Sequence, residues 1–259
     1  MVSERVQSQV FGEVAADYDD VRPGYPVEIA DRIVAYAGRR PQSIVEVGAG
    51  TGKGTEVLRT LDAPITCVEP DAAMAGVLRR RFADDELVAI EVSRFEDWTS
   101  PVTGVDLLAS AQAWHWVGRE VRTRLAAAAL APGGVIALFA HDFGFADDDT
   151  ATAMQNVYLK YAPEIAHGVP ANVHPDVFHP DELRISPLFT DFEKQDVIRV
   201  VPFPTPRYLR LLSTFSPHRM LPEDRRVRLH QAIADLIDGR GGVLHQQLTT
   251  GLVLARRAA

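Results

Sequence analysis

Short apolar runs alternate with longer amphipathic stretches along the first 140 residues of the chain. Residues 43–47 (SIVEV) are apolar on successive positions, which is typical of a parallel strand that is covered on both faces. The same reasoning predicts strands at 65–68, 87–92, 105–110 and 135–140, with helices at 53–61, 71–82 and 119–130 between them. Asp71 is predicted to cap the second of these helices, and the turn signal PGG at 132–134 is predicted to stop the third before the next strand. Strands and helices that alternate in this way predict an α/β protein with a mostly parallel sheet.

The alternation breaks after residue 140. A helical stretch near 150–161 is followed by a segment dense in His and Pro, which indicates an insertion rather than another strand–helix unit. Beyond it, the pattern predicts a strand at 192–200, a turn-rich break at 202–206, a helix at 222–237 and a last strand at about 246–256. The residues alone leave the direction of that last strand open.

Composition narrows the class of protein. With 259 residues, of which 46% are hydrophobic, the chain is long enough for one large compact domain or for a core domain with a cap. The formal net charge of -8 disfavours a protein whose main partner is nucleic acid. Cys67 is the only cysteine, so an intrachain disulfide and a cysteine-based metal cluster are both excluded, and we expect a cytoplasmic location. No stretch approaches the ~20 apolar residues of a membrane helix, so we expect no membrane partner.

A glycine-rich segment, EVGAGTGKG at residues 46–54, follows the first predicted strand and precedes a helix. A nucleoside-triphosphate loop requires G-x-x-x-x-G-K-[ST], but Val47 stands at the first glycine position and Gly54 at the hydroxyl position. A dinucleotide loop requires G-x-G-x-x-G, but the third glycine position falls on Lys53. Glu46 would also repel a pyrophosphate bound at the helix N-terminus. The segment therefore fits neither class of phosphate-binding loop.

A ligand with an ammonium group and no phosphate fits the same residues. Glycines let the backbone pass close beneath such a ligand, and the Glu46 carboxylate attracts its positive charge. S-adenosylmethionine is a ligand of this kind. Glu69 ends the second strand, nineteen residues beyond Gly50, where an acidic residue binds ribose hydroxyls in open α/β sheets. The segments 93–96 and 110–116 follow two more strand ends, so we expect four loops to face one crevice.

The chain resembles the class I S-adenosylmethionine-dependent methyltransferases through EVGAGTGKG (46–54), CVEPDAAM (67–74), DLLASAQAWHW (106–116) and LAPGGVIAL (130–138). Its leader AADYDDVRPGYP (15–26) is similar to that of the branch that includes trans-aconitate methyltransferase-like proteins. Together with the patterns above, the resemblance implies a Rossmann-like, doubly wound, seven-stranded and mostly parallel sheet with a C-terminal antiparallel strand and a helical cap insertion.

We expect one continuous domain with four parts. Residues 1–40 form an N-terminal lid or helix region, and residues 41–140 form the S-adenosylmethionine-binding core. Residues 141–190 form the cap insertion, and residues 191–259 form the C-terminal part of the sheet with helices on the substrate side.

The resemblance also implies roles for single residues. It places Gly48 and Gly50 under the cofactor, Glu69 on the ribose, Pro70 and Met74 against the adenine, and the Phe95 backbone near the adenine edge. Arg94 stands where many relatives have an acidic residue. For Met74, packing in the core is an equally good interpretation. The complete set that we expect to bind the cofactor is Tyr18, Arg22, Glu46, Gly48, Ala49, Gly50, Gly52, Glu69, Pro70, Met74, Arg94, Phe95, Glu96, Ser110, Ala111 and Gln112.

We expect aromatic and basic residues to bind the molecule that accepts the methyl group. Those that we predict to line the acceptor pocket are Tyr25, Trp114, Trp116, Phe143, Arg207, Phe215 and His218. The cluster Trp114–Trp116 fits a helix start equally well. A base is needed only for an acceptor that arrives protonated, and His115 and His141 are the candidates because both follow strand ends.

These features predict a methyltransferase that uses S-adenosylmethionine, without a metal ion, to methylate an O, N or carboxylate group of a small molecule by in-line displacement. We expect a monomer or a homodimer. A non-catalytic protein that binds S-adenosylmethionine or a nucleotide, an RNA methyltransferase and a nicotinamide-dependent oxidoreductase are the alternatives. His167, His174 and His179 have spacings that match no compact metal-ligand pattern, which favours solvated loop histidines.

Overall fold

The computed structural model describes residues 20–99, 104–168 and 181–259. In these ranges the elements are α1 Glu28–Ala37, β1 Ile44–Val47, α2 Lys53–Arg59, β2 Ile65–Val68, α3 Ala72–Arg81, β3 Val88–Glu91, β4 Val105–Ala111, α4 Arg119–Ala129, β5 Leu130–Phe145, α5 Asp148–Tyr161, α6 Asp181–Ile185, β6 Phe189–Pro204, α7 Thr205–Ser213, α8 Ser216–Met220, α9 Glu223–Asp238 and β7 Val243–Arg257. Short 3-10 helices cover Trp114–Trp116 and Pro163–Gly168.

Within the described residues, seven strands form one sheet in the order β3-β2-β1-β4-β5-β7-β6. β1 pairs in parallel with β2 and with β4, β2 pairs in parallel with β3, and β4 pairs in parallel with β5. The sheet is mostly parallel with one antiparallel edge, so the predicted fold class is confirmed.

Contacts group the described residues into two compact units. The first, the sheet unit, contains residues 24–99, 104–140, 181–197 and 250–259. The second, the helical unit, contains residues 20–23, 141–168 and 198–249. The two units are described separately below.

In the sheet unit, apolar side chains cover both faces of the strands. Ile44 packs into a cluster with residues of α1 and α2, such as Ile33 and Leu58. Its neighbour Val45 packs into a second cluster with Ala126 of α4. All four residues of β1 are buried, which confirms that the central strand is covered on both faces.

Two local signals of the sheet unit have different outcomes. The predicted cap of α3 is confirmed, since the Asp71 carboxylate accepts the backbone N–H groups of Ala73 and Met74. The predicted stop at residues 132–134 is wrong in its position. Helix α4 ends earlier and residues 131–134 form an irregularity within β5, because the pairing with β4 shifts there.

The helical unit has its own core, built by α5, α7 and α9 around buried side chains such as Tyr158, Tyr208 and Leu229. The turn-rich break predicted at 202–206 is wrong. Strand β6 continues to Pro204 and α7 begins at Thr205, with Pro206 in its first turn. Proline is tolerated there because the first turn of a helix has no intrahelical partner for its N–H groups.

None of the helices in the described ranges is long and apolar enough to cross a membrane.

Candidate functional site

The order of the strands places an opening at the ends of β1 and β4. After β1 the chain moves outward on one side through β2 and β3, and then returns to add β4 and β5 on the other side. The helices that follow β1 and β4 leave in opposite directions at such a point. Ligands in open α/β sheets bind at this switch point, outside the carboxyl ends of the strands. The residues that follow β1, β2 and β4 are therefore the candidate site.

The glycine loop follows β1 directly. Gly48 has a φ of +69°, and a Cβ built on it would lie 2.3 Å from Cβ of Ala113 in the segment after β4. Any side chain at this position would therefore be strained and would collide with the neighbouring loop. Ala49 is buried, while Gly48 and Gly50 are partly exposed. Gly52 occupies the position just before α2.

Glu69 ties the glycine loop to the end of β2. It is only 4% exposed. Its Oε2 accepts the N–H of Gly50 at 2.7 Å, and its Oε1 accepts the N–H of Asp71 at 2.8 Å. Burial raises the pKa of Glu69, although the two backbone N–H groups oppose that rise. A carboxylate has about four lone-pair sites, so each oxygen keeps capacity for a further donor such as a ribose hydroxyl.

Glu46 lies beneath the loop rather than at its surface. Its side chain is fully buried, and its Oε2 accepts a hydrogen bond from the Thr55 hydroxyl at 2.5 Å and a weak one from the Cys67 thiol at 3.9 Å. Within the described residues, its Oε1 has no hydrogen-bond partner. Burial raises the pKa of Glu46 to about 8, and the charge of Glu69 adds to this rise. Thr55 is a part of this group that sequence reasoning missed.

The loops after β2 and β3 contain both exposed and buried residues. Pro70 is exposed, whereas Met74 is 7% exposed and its sulfur faces Gly50, with Sδ 3.9 Å from the position of a built Cβ. Phe95 is buried and its ring centroid lies 6.0 Å from that of Trp98. Phe95 thus contributes its side chain to the core.

Arg94 and Glu96 form an ion pair in the loop after β3. The guanidinium donates to Glu96 Oε1 at 3.1 Å, and the same oxygen accepts the N–H of Gly118 at 2.9 Å. Glu96 therefore connects this loop to the start of α4. Sequence reasoning identified both charged residues but not their pairing.

The end of β4 contains a strained residue. Gln112 has a φ of +55°, which is uncommon for a residue with a side chain. Its N–H donates to the carbonyl of Phe139, and its Oε1 accepts the Tyr25 hydroxyl at 3.1 Å. Ser110 is buried and donates its hydroxyl to the carbonyl of Val47 at 2.8 Å, while Ala111 is partly exposed. Strain of this kind is concentrated at functional sites.

The cluster after β4 divides between core and surface. Trp114 is buried and donates its indole N–H to Glu182 at 2.8 Å. Trp116 is 43% exposed, and its ring lies 4.6 Å from the partly exposed ring of His115. One tryptophan therefore packs in the core and the other faces solvent, and the cluster forms a short 3-10 helix. Its role in an acceptor pocket stays a prediction.

The remaining candidate residues lie in the helical unit, except Tyr18, which lies outside the described residues. Arg22 is 8% exposed and donates to the Thr214 hydroxyl at 2.9 Å, with its guanidinium 4.1 Å from the ring centroid of Phe215. His141 lies within β5, which runs to Phe145, so the prediction that it follows the end of the strand is wrong. It is buried, with its ring centroid 6.0 Å from that of Phe143.

The other two acceptor candidates have contrasting environments. Arg207 is exposed, with its guanidinium 5.2 Å from the ring centroid of Phe203. His218 is fully buried, and its Nε2 lies 2.9 Å from the Tyr158 hydroxyl while its Nδ1 lies 3.1 Å from His230. Burial, His230 and Arg226 lower the pKa of His218 to about 3.

In the part of the chain that the structure describes, no three His, Cys, Asp or Glu side chains are grouped in a way that could hold a metal ion.

Comparison with known proteins agrees with this geometry. Residues 45–138 match a family model described as a methyltransferase domain. Over these residues the chain is similar to the class I methyltransferases that use S-adenosylmethionine.

Two relatives show how far the likeness extends. The chain is 35% identical over 136 residues to an uncharacterized methyltransferase of Mycobacterium tuberculosis, a match that covers 52% of this chain and 54% of the relative. It is 30% identical over 101 residues to trans-aconitate 2-methyltransferase of Rhodopseudomonas palustris, which covers 38% of each chain. The chain thus spans about half the length, or less, of these curated relatives.

A solved structure supports the fold. A protein of Anaeromyxobacter dehalogenans that is described as a type II methyltransferase superimposes with a TM-score of 0.70 at 20% identity, covering 91% of this chain and 97% of that one. At this identity, the likeness concerns the fold alone.

Proposed function

We propose that this protein transfers a methyl group from S-adenosylmethionine to an oxygen, nitrogen or carboxylate of a small molecule. The observation that carries the proposal is the position of Glu69. A buried carboxylate that holds the N–H of Gly50 at the switch point leaves no room for the negative charge of a pyrophosphate, while it can accept the hydroxyls of a ribose.

The residues of the sheet unit fit this cofactor. Gly48 lets the glycine loop pack directly against Ala113 in the segment after β4, and the buried Oε1 of Glu46 offers an unused acceptor to a cation near the loop. Glu46, Gly48, Gly50 and Glu69 would hold the cofactor. S-adenosylmethionine supplies a methyl group that its sulfonium has already activated.

The protein itself supplies alignment and exclusion of water. Gln112, held by the Tyr25 hydroxyl, fixes the segment between the glycine loop and the cluster Trp114–Trp116. An acceptor that arrives as a carboxylate requires no base. For a protonated acceptor, His115 is the first candidate base and His141 the second, and the exposed Trp116 is the candidate platform for the acceptor.

A small molecule is the proposed class of acceptor for two reasons. The relative from Rhodopseudomonas palustris is named for trans-aconitate, which is a small molecule. The formal net charge of -8 also disfavours a nucleic-acid acceptor. We also propose a cytoplasmic location and a monomeric or homodimeric state.

The proposal is tested in two stages. Isothermal titration with S-adenosylhomocysteine and, separately, with NAD measures which cofactor binds. Incubation with S-adenosylmethionine carrying a labelled methyl group and a metabolite extract, followed by mass spectrometry, detects products heavier by one labelled methyl. We expect binding of S-adenosylhomocysteine alone and at least one methylated metabolite. Binding of NAD instead would refute the proposed cofactor, and binding without any labelled product would refute the proposed transfer.

A further inference from the structure

A buried ion pair in the sheet unit contacts the segment that follows β4. Arg122 of α4 is 2% exposed. Its Nε and Nη2 donate to the two carboxylate oxygens of Glu182 in α6, each at 2.7 Å. The pair is therefore bidentate, an arrangement that fixes both side chains in direction as well as in distance.

Both members of this pair also bind Trp114. Glu182 Oε1 accepts the indole N–H of Trp114 at 2.8 Å, and Arg122 Nη1 donates to the Trp114 backbone carbonyl at 3.0 Å. One residue of the segment is thus held by its side chain and by its backbone at once.

Trp114 lies between two predicted parts of the cofactor site. It follows the strained residue Gln112 by two positions, and its ring centroid lies 6.3 Å from that of Phe95. A strained backbone persists only when the surrounding structure determines it from several sides. The Tyr25 hydroxyl and the Phe139 carbonyl hold Gln112 directly, and the ion pair holds the chain just beyond it.

Stability alone does not account for such a pair. A buried ion pair is often replaced by apolar side chains of similar volume with no loss of stability, because removing two charges from water offsets much of their attraction. Apolar replacements would fill the space but would leave the indole N–H and the carbonyl of Trp114 without their partners.

We propose that Glu182 and Arg122 are positioning residues that set the geometry of residues 112–116 and thereby the affinity for the cofactor. Neither residue is assigned contact with cofactor or acceptor. The inference rests on the proposed function and adds to it a pair of residues that lie 60 positions apart in the sequence.

The decisive variant is the double substitution Arg122→Met/Glu182→Leu. We expect it to fold with a thermal unfolding midpoint a few degrees lower, because the indole N–H and the carbonyl of Trp114 lose their partners. Its Kd for S-adenosylhomocysteine, measured well below that midpoint, should rise about tenfold, in the range seen when supporting partners of a site are removed. The near-UV circular dichroism of the tryptophans should change as well. A folded double variant with wild-type Kd would overturn the proposal.

A second variant covers the case in which the double variant does not fold. Glu182→Gln retains an oxygen for Trp114 and loses the charge that orients Arg122, so we expect a folded protein with an intermediate rise in Kd. An unchanged Kd in this variant would equally overturn the proposal. Arg39→Met, which removes the more exposed bidentate pair with Asp106, is the control and should leave Kd unchanged.

The two proposals fail in different ways. Wild-type protein that does not bind S-adenosylhomocysteine refutes the proposed function. Wild-type protein that binds it, together with folded variants that bind it equally well, refutes only the positioning role.

Discussion

Two groups of buried polar side chains, one in each unit, are satisfied differently. In the sheet unit, Glu46 and Glu69 are buried beside the glycine loop, and each keeps hydrogen-bonding capacity that the protein does not use. In the helical unit, Tyr158, His218 and His230 form a chain in which each ring is hydrogen-bonded to the next. Buried capacity that is left unused is costly, so its presence beside the glycine loop indicates a place for a ligand. Side chains that hydrogen-bond to one another indicate a structural role.

The largest expected effect comes from filling the glycine loop. Gly48→Ala places a Cβ 2.3 Å from that of Ala113 and should weaken binding of S-adenosylhomocysteine more than 100-fold, about 3 kcal/mol. Gly133→Ala is a matched control, because Gly133 has a similar φ of +76° but no atom within 4 Å of the built Cβ. The control should lose only about 1 kcal/mol of stability and no affinity. Isothermal titration measures both variants, and equal affinities would mean that the loop does not hold the cofactor.

Glu69→Gln should have the next largest effect. The amide retains one oxygen for a backbone N–H but turns the other acceptor into a donor, so we expect the Kd for S-adenosylhomocysteine to rise about 10- to 100-fold. Glu91→Gln, at the end of the neighbouring strand β3, where Oε2 accepts the Trp98 indole N–H at 2.8 Å, is the control. If both variants bind equally, Glu69 serves only to hold the loop and not the ligand.

Tyr158→Phe tests the role of the histidine chain in the helical unit. Removing the hydroxyl deprives His218 of its partner and should lower the free energy of unfolding by about 1–2 kcal/mol, as expected for a buried hydrogen bond. Urea unfolding measures this loss. Binding of S-adenosylhomocysteine should stay unchanged, and so should both quantities in Tyr161→Phe, a control on the same helix. A weaker Kd in Tyr158→Phe would contradict a purely structural role for the histidine chain.

The expected effects on pH dependence have opposite signs in the two units. Burial raises the pKa of Glu46 from 4.5 to about 8, so the folded state retains a proton that the unfolded state loses. Stability from this group therefore falls as the pH rises from about 4.5 to 8. Burial, helped by Arg226, lowers the pKa of His230 from 6.5 to about 4. Stability from the histidine chain therefore falls as the pH drops from about 6.5 to 4.

Two variants separate these effects. Above pH 6.5 only the Glu46 effect acts, so Glu46→Gln should remove the loss of stability between pH 6.5 and 8, and His230→Gln should leave that loss unchanged. Between pH 5 and 6.5 the two effects oppose each other, so Glu46→Gln should steepen the loss towards pH 5, and His230→Gln should reduce it. Urea midpoints at pH 5, 6.5 and 8 measure both variants, without ligand. An unchanged loss between pH 6.5 and 8 in Glu46→Gln would show that Glu46 is not its source.

Much of the fold follows from local signals. The apolar runs predicted β1 to β5, and Asp71 predicted the start of α3, because a strand buried on both faces and a helix cap each depend on a few adjacent residues. The prediction of a turn-rich break at 202–206 was wrong, because Pro206 is as well suited to the start of a helix as to a turn.

The candidate site was predicted only as far as residue types and strand ends allow. The glycine loop and the acids after β1 and β2 are visible in the sequence, and their roles as ligands of the cofactor stay predictions. Their protein partners were not visible. Thr55 beneath Glu46 and Glu182 beside Trp114 carry no motif that would have marked them.

The sequence by itself therefore determined the alternating strands and helices of residues 43–140, the glycine loop and the class of chemistry that we propose, because these are encoded by neighbouring residues. Only the tertiary structure showed that Glu69 accepts a hydrogen bond from Gly50 and that Glu46 lies beneath the loop. It alone also showed that Glu182 and Arg122 form hydrogen bonds with Trp114. Those contacts join residues 8 to 68 positions apart. They exist because packing the helices onto the sheet brings distant side chains within about 3 Å, a distance that spacing along the chain does not encode.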